Sequence, residues 1–347
     1  MPLSSGKRSS GSPSSPPGAP AGDEAFAGLR YDPRAGRGHV ESWFLKANDP
    51  RSRRALWLKW TLWAGDGAPE RAVAEAWAVA FGTAHGHVAT KTTVPFERAR
   101  FARAGLGANV DESELRPDGA SGRVDSGGRS IAFDLSVASR EAPLLLYPRW
   151  MYASRFPSQK AVSPIPNARL AGRVVVNGET WDVDGWPGMV GHNWGRHTEQ
   201  YVWGHCNAWD DGDDVVFEGG AGRTRALRVL LPLRTVLTVR HHGTSYPMNA
   251  LASVAHNVSN VTLRRWQFRG AGPRVELEGE MWAPTDDFVG LFYPNPDGAL
   301  THCLNSKIAH ADVMLRIAGR VPRRLRSTRA ALEIGTRDPS HGVRMVV

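Results

Sequence analysis

Residues 275–281, Val275-Glu-Leu-Glu-Gly-Glu-Met281, alternate between apolar and charged side chains. Successive side chains on an extended strand point to opposite faces, so this run buries Val275, Leu277 and Met281 and leaves Glu276, Glu278 and Glu280 in water. Gly279 falls where an inward side chain would stand, a common way for a barrel strand to bend. Short runs of the same period recur along the chain, broken by Gly, Asp, Asn and Pro. His39–Lys46 and Ala55–Trp63 read as strands joined by the turn Asn48-Asp49-Pro50. Ala72–Phe81 is alanine-rich, yet Val73, Trp77, Val79 and Phe81 take odd positions and alanine takes every even one, so it too reads as a strand. His87–Val94 continues the meander, and Pro95–Phe101 reads as a short helix. The absence of a long amphipathic helix and of a strand–helix–strand rhythm excludes doubly wound sheets and TIM barrels. The pattern is that of an all-β, antiparallel barrel or sandwich.

A length of 347 residues suits about two domains. Residues 1–24 are Ser-, Pro-, Gly- and Ala-rich and cannot bury enough apolar surface to offset ordering entropy, so a disordered tail is expected there. Structure is expected from about Gly38. The Pro-studded stretch from Pro157 to Pro166 is the best candidate boundary. It divides the chain into a barrel at 38–160 and a second at 161–347.

No window approaches the ~18 consecutive apolar residues of a membrane-spanning helix. The N-terminal stretch lacks the apolar core of an export signal, and Cys206 and Cys303 are too few for a disulfide framework. A soluble, cytoplasmic protein is therefore expected. The net charge of +9 raises nucleic acid as a partner, but 37 of the 43 cations are Arg and they are scattered rather than striped. Solvated surface charge is the reading adopted, with no nucleic-acid partner. A weak contact with an anionic membrane surface is the secondary one.

Tryptophan is the informative residue, with 13 against 6 Tyr and 11 Phe. So many large apolar faces, each with one N–H to satisfy, suit a cavity wall as well as a core. The most distinctive segment is Gly185-Trp-Pro-Gly-Met-Val-Gly-His-Asn-Trp-Gly195, followed by Gln200-Tyr-Val-Trp-Gly-His-Cys-Asn-Ala-Trp209. The first half reads as a Gly-rich turn presenting His192, Asn193 and Trp194. The second reads as a strand with Tyr201, Trp203, His205, Asn207 and Trp209 on one face and Val202, Gly204, Cys206 and Ala208 on the other. The aromatic face is read as lining a lumen. The competing arrangement turns the small residues inward and packs the aromatic face between barrels.

This segment resembles the tocopherol cyclase family and its relatives, the carotenoid 1,2-hydratases and AttH-like proteins. The shared pattern is Asn193-Trp194-Gly195, a spacer, then Tyr201, Trp203, Cys206 and Asn207. Glu41-Ser42-Trp43-Phe44 resembles the family's Glu-Gly-Trp-Tyr opening strand, with Ser in place of Gly, and Ala330–Gly335 its closing strand. Similarity runs from about residue 38 to the C-terminus, strongest over 181–282 and thin over 95–150. The resemblance implies two tandem lipocalin-like barrels acting on isoprenoid-bearing substrates, either to cyclise a prenylated quinol or to hydrate an alkene. A non-catalytic carrier of lipid or isoprenoid on the same fold is the alternative, because fold does not fix function.

Cyclisation and hydration share one step, protonation of an alkene to give a tertiary cation. The acid must be held neutral, which burial achieves for a carboxyl group. Aromatic faces then stabilise the cation. Glu41, on a strand face with His39, Trp43 and Leu45, is the leading acid. Its bland alternative is a carboxylate bonded to an Arg or to backbone at the barrel mouth. Glu218 follows, and Asp182 and Asp184 read as turn formers. His192 is a candidate to deliver a proton or orient a substrate oxygen. Trp43, Asn193, Trp194, Arg196, Trp203, His205, Asn207 and Trp209 are the candidate substrate contacts, with Trp194 expected to be structural and Arg196 able instead to bridge to Glu199. His85-Gly-His87 and His241-His242 lack a third ligand at recognisable spacing, so no metal is expected. Nor is any cofactor, since a phosphate loop and a nucleophile elbow are both missing. The expected ligand is an apolar small molecule of the isoprenoid or quinone class.

Overall fold

In the computed structural model, residues 26–196, 200–223, 225–226, 229–230 and 232–347 are described. The expected 1–24 tail lies outside them. Strands β1 (His39–Asn48), β2 (Ala55–Gly65), β3 (Ala68–Thr83) and β4 (Gly86–Pro95) form the meander read from the alternation. Five shorter strands follow: β5 (Ala99–Phe101), β6 (Ala108–Val110), β7 (Ser113–Arg116), β8 (Gly119–Ser126) and β9 (Arg129–Ala138). After β10 (Leu144–Leu145) and helix α1 (Arg149–Ala153), two long strands, β11 (Lys160–Val176) and β12 (Glu179–Gly195), complete the first sheet. Its order is β4-β3-β2-β1-β12-β11-β9-β8-β7-β6-β5, with β10 beside β11. The sheet curls until β4 meets β8 and β9. There Thr92 Oγ1 donates to the Asp125 carbonyl at 3.2 Å, and Arg129 Nη1 donates to the Ala89 carbonyl at 3.3 Å.

The second sheet begins with β13 (Gln200–Cys206) and β14 (Val215–Arg223). A small ribbon, β15 (Arg225–Ala226) with β16 (Val229–Leu230), stands apart from it. The sheet resumes with β17 (Arg234–His241) and β18 (Thr244–Met248), helix α2 (Leu251–His256), then β19 (Val258–Val261), β20 (Arg265–Gly272) and β21 (Val275–Trp282). It ends with β22 (Val289–Pro294), β23 (Leu300–Ile317) and β24 (Arg323–Thr336). The order is β18-β17-β14-β13-β24-β23-β21-β20-β19, with β22 beside β23. Asn257 ties its two edges together, donating to the Met248 carbonyl at 2.7 Å and accepting from the Ala271 amide at 3.3 Å. The fold is all-β, as the period-two runs require.

Alternation also sorts the cores. Trp43, Leu45, Leu56, Leu58, Trp60, Trp181 and Trp186 fill the first barrel, and the small side chains of Ala74, Ala76, Ala78 and Ala80 on β3 leave room for these rings. The second barrel closes on Val202, Cys206, Phe217, Trp266 and Met281. A third apolar layer lies between the sheets, with Phe44, Trp57, Trp77, Val79 and Phe81 meeting Leu291, Tyr293, Cys303 and Ile308. Most of the tryptophans therefore fill space rather than wall a lumen.

Several expectations need correction. The boundary expected at 160/161 falls at the start of β11, which pairs with β12 and β9 of the first sheet. The chain changes sheet only after Gly195. Pro164 and Pro166 sit at register shifts of the β11–β12 pair, where a missing N–H is tolerated, so they mark bulges and not a linker. The expected helix at 95–101 is one 3₁₀ turn, Phe96–Arg98, followed by β5. Ordered structure precedes Gly38: residues 26–37 close one end of the first barrel, with the carbonyls of Phe26 and Ala27 hydrogen-bonded to His192 and Trp43. The Gly-rich "turn" at 185–195 lies within β12. Gly191 is glycine because a Cβ there would stand 2.2 Å from the Phe44 ring, not because the chain turns.

Candidate active site

The space between the sheets is shaped by the side chains that point away from each barrel. On the first sheet, pairing sets Phe44 beside Lys59 and Lys46 beside Trp57. On the second, β13 presents Tyr201, Trp203 and His205. Trp203 pairs with Gly220 of β14 and Glu333 of β24, and His205 pairs with Glu218. Glycine across from Tyr201 is obligatory, since a Cβ on Gly335 would come within 1.9 Å of the Tyr201 ring.

Two adjoining chambers occupy this space. The outer measures about 440 Å³ and is mainly apolar, walled by Leu146, Met151, Val202, Ala221, Val236 and Leu251 among others. The inner measures about 80 Å³ and is bordered by Phe44, Trp57, Lys59, Glu218, Tyr293 and Glu333. Gln159, Ala161, Tyr201 and Trp203 border both. The segment before β11 is held over them by the Tyr152 hydroxyl, which donates to the Ala161 carbonyl at 2.6 Å and accepts from the Leu146 amide at 3.0 Å.

Glu218 is 1% exposed. Ser163 Oγ donates to its Oε2 at 2.7 Å, and the Trp203 indole N–H donates to its Oε1 at 3.1 Å. Burial pushes the Glu218 carboxyl up to about 7, outweighing these bonds and the more distant Arg240, which favour the charged form. Trp203 can only donate, so the proton of the neutral acid belongs on Oε2. There the Ser163 hydroxyl can serve either state of the carboxyl, accepting from the acid or donating to the carboxylate.

Three lysines share the buried layer. Lys307 donates to Glu333 Oε1 at 2.8 Å, and Lys46 donates to Asn48 Oδ1 at 3.1 Å and to Asn207 Oδ1 at 3.0 Å. Lys59 lies over the Tyr293 ring, 3.7 Å from its centroid, and makes no hydrogen bond among the described residues. Burial pushes the Lys46 and Lys59 ammonium groups down to about 8.

Of the residues singled out by sequence, Trp203 borders both chambers and donates its indole N–H to Glu218, while Glu218, His192 and Asn193 border the inner one. Glu41 lies elsewhere, fully buried at the closed end of the first barrel. Its Oε1 accepts from the Arg30 amide at 2.8 Å and from His192 Nε2 at 2.9 Å. Its Oε2 accepts from the Tyr31 amide at 3.0 Å and from His39 Nε2 at 2.9 Å. Despite burial, the bonds to His192 and His39 hold its carboxyl below the ordinary range. The expectation of a neutral Glu41 in an apolar pocket is therefore corrected: it is an anion tying down the N-terminal segment, the bland alternative weighed above. His192 Nδ1 faces the Phe26 carbonyl at 2.7 Å, which can only accept, so Nε2 needs a second proton to meet a carboxylate. The His192 ring stacks on Trp43, with centroids 4.6 Å apart.

The remaining candidates are structural in place. Trp194 packs with Tyr152 and Val162, and Arg196 pairs with Asp66. Glu199, the other partner considered for Arg196, lies outside the described residues. His205 Nε2 donates to the Pro166 carbonyl at 3.0 Å, and Asn207 Nδ2 donates to the Gly188 carbonyl at 2.8 Å, so both bolt β13 to the first sheet. Trp209 lies beyond β13, in the second core, with its indole N–H on the Val215 carbonyl at 2.7 Å. Asp182 and Asp184 are exposed on β12 and not in a turn. The face of Tyr201, Trp203 and His205 is thus turned between the barrels, the competing arrangement, and the cavity lies there and not inside a barrel. Lys59, Ser163, Lys307 and Glu333 are the site residues that sequence reasoning missed. The available signal was lysine's rarity, six against 37 Arg, with four of the six, Lys46, Lys59, Lys160 and Lys307, in strands and buried.

A family model described as tocopherol cyclase-like matches residues 164–336. The uncharacterized proteins Rv0493c and MT0513 of Mycobacterium tuberculosis, strains H37Rv and CDC 1551, are each 31% identical over 193 residues, 55% of this chain. The chain spans 57% of the length of those curated relatives. An AttH-like protein of Nitrosomonas europaea superposes with a TM-score of 0.55 at 13% identity, covering 93% of this chain and 98% of that one. Kievitone hydratase of Nectria haematococca superposes with a TM-score of 0.53 at 8% identity, covering 91% and 95%. At these identities the shared property is the fold, the lipocalin-like two-barrel arrangement.

Proposed function

We propose, for a chain whose residues 164–336 belong to the tocopherol cyclase-like family, that Glu218 is the general acid of an addition to a carbon–carbon double bond. The observation that carries this reading is the Glu218 carboxyl, buried beside the inner chamber, bonded to the Trp203 indole that borders both chambers, and pushed up to about 7. An alkene is a feeble base, so an acid that keeps its proton near neutrality inside a dry cleft suits the step. The substrate's isoprenoid or other hydrocarbon part occupies the outer chamber. Glu218 gives its proton to the less substituted alkene carbon, leaving a tertiary cation. The Trp203 ring, bordering both chambers, offers its face to that cation. A hydroxyl oxygen of the substrate, or water, then forms the new C–O bond and releases a proton, and a proton returns to Glu218. The Ser163 hydroxyl, 2.7 Å from Oε2, is placed to pass it.

The test is Glu218→Gln assayed with a prenylated quinol. The amide keeps the shape and has no acidic proton, so turnover should be lost while binding, read by quenching of tryptophan emission, persists. Full activity in Glu218→Gln would sink the assignment. Binding without turnover in the wild-type protein would favour the carrier reading, for which the 440 Å³ apolar chamber alone suffices.

A further inference from the structure

Lys59 and Trp57 border the inner chamber, and each carries a donor that no acceptor among the described residues answers. Lys59 is 5% exposed and Trp57 1%. The Trp57 indole N–H is buried and has no hydrogen-bond partner among the described residues. The Lys59 ammonium is approached by rings, with Tyr293 at 3.7 Å, Trp57 at 5.7 Å and Trp77 at 5.9 Å to the centroids, and by no hydrogen-bond acceptor among those residues. Ring faces compensate a buried ammonium only in part, and a buried N–H with no acceptor keeps the full cost of its lost hydration.

The charges around the chamber lean the same way. Lys46, Lys59 and Lys307 bring three cations into the layer. Glu333 accepts from Lys307, Glu75 accepts from Lys91 at 3.0 Å, and Glu218 favours its neutral form up to about pH 7. Lys46 is answered by two amide oxygens. Of the three, Lys59 is the one with no hydrogen-bond acceptor among the described residues, the charges of Glu333 and Glu75 acting on it only from a distance.

We propose that the inner chamber is an oxyanion site, in which Lys59 Nζ and Trp57 Nε1 hold an ionised oxygen carried by an otherwise apolar ligand. The ligand is an acid whose charged oxygen is a carboxylate or an ionised phenol, with its hydrocarbon part in the outer chamber. The inference rests on the functional reading only in that the head group arrives with the substrate. The volume agrees: about 80 Å³ admits a head group, and the adjoining 440 Å³ takes the apolar body.

Calorimetric titration of the full chain near neutral pH tests this with two matched pairs, decanoate against decanol and para-nitrophenolate against nitrobenzene. None of these probes carries an alkene, so the result is independent of whether Glu218 protonates anything. In the wild-type protein at least one acid should bind tenfold or more tighter than its neutral partner, and the responding pair identifies the oxyanion. Lys59→Met should erase that preference while leaving the neutral partner's affinity unchanged. Its melting temperature should be equal or higher, because a methionine replaces a buried ammonium without leaving a partner unpaired. Trp57→Phe, which keeps the ring and removes the N–H, should weaken only the acid, by about threefold to tenfold. No preference in the wild-type protein for either acid, or a preference that survives in Lys59→Met and in Trp57→Phe, overturns the proposal. So does a Lys59→Met protein that melts well below wild type with its preference intact.

Discussion

Trp203 and Glu218 lie on neighbouring strands of the second sheet, two residues out of register on the same face, and the indole N–H of the first meets Oε1 of the second at 3.1 Å. The bond opposes the effect of burial, so Glu218 is poised near neutrality instead of being locked in its acid form. A carboxyl raised to about 7 in the folded chain binds more protons than its unfolded counterpart. Stability contributed by the neutral form is therefore full below the ordinary carboxyl value and is lost as pH rises toward 7. The loss is at most about 3–4 kcal/mol. Urea unfolding midpoints across this range should fall with pH in the wild-type protein and flatten in Glu218→Gln. In Trp203→Phe, with the lowering bond gone, the decline should extend to higher pH. An unchanged upper limit in Trp203→Phe would separate the bond from the titration.

Glu41 should show the opposite dependence. His192 and His39 hold its carboxyl below the ordinary range, so its contribution is present above about 4.3 and is lost as pH falls further. Glu41→Gln leaves two histidines and two backbone amides facing a neutral side chain and should cost about 3–5 kcal/mol. The loss should be local first. Limited proteolysis should cut within residues 26–37 in the variant under conditions where the wild-type segment is protected. Equal stability and equal protection would contradict the anchoring role.

The fold was legible because alternation is a local property: the faces of β3 and β21 follow from every second residue. The site was not, because each outward face of a barrel strand reads the same whether it meets water or a second sheet. Glu41 and Glu218 look alike in sequence, each a lone carboxyl on a strand with apolar neighbours. What separates them is two histidines, one from the same strand and one from 151 residues away, and the backbone of residues 30–31. Lys59 stands in a run of tryptophan and leucine where a sequence reader expects the ammonium to reach solvent. Only the packing of β22 over β2 shows that Tyr293 closes it in.

Gly191 tests the reading of β12 as a strand packed on a ring. A methyl group there would stand 2.2 Å from Phe44 Cζ, and the backbone pairing of Gly191 with Phe44 leaves little room for the ring to retreat. Gly191→Ala should lower stability by about 1–3 kcal/mol, the usual range for overpacking. Adding Phe44→Leu should recover part of that loss, so the double variant lies above the sum of the single ones in chemical denaturation. Strict additivity would mean that the glycine is needed for another reason.

Ala161 offers the sharpest test of whether the two chambers act as one site, because it borders both and its backbone carbonyl is fixed by Tyr152. Alanine leaves the junction open, and a larger side chain would fill it. Ala161→Trp should therefore block passage between the apolar body of a ligand in the outer chamber and its head group in the inner one. A prenylated quinone that quenches wild-type emission saturably should bind the variant at least tenfold more weakly. A short hydrocarbon that needs only the outer chamber should lose far less. Because the substituted side chain points into space already empty, the melting temperature should change little. If the long and the short ligand weaken equally, the chambers are separate sites. If neither weakens, the ligand sits elsewhere on the molecule, and the role assigned to Glu218 falls with it.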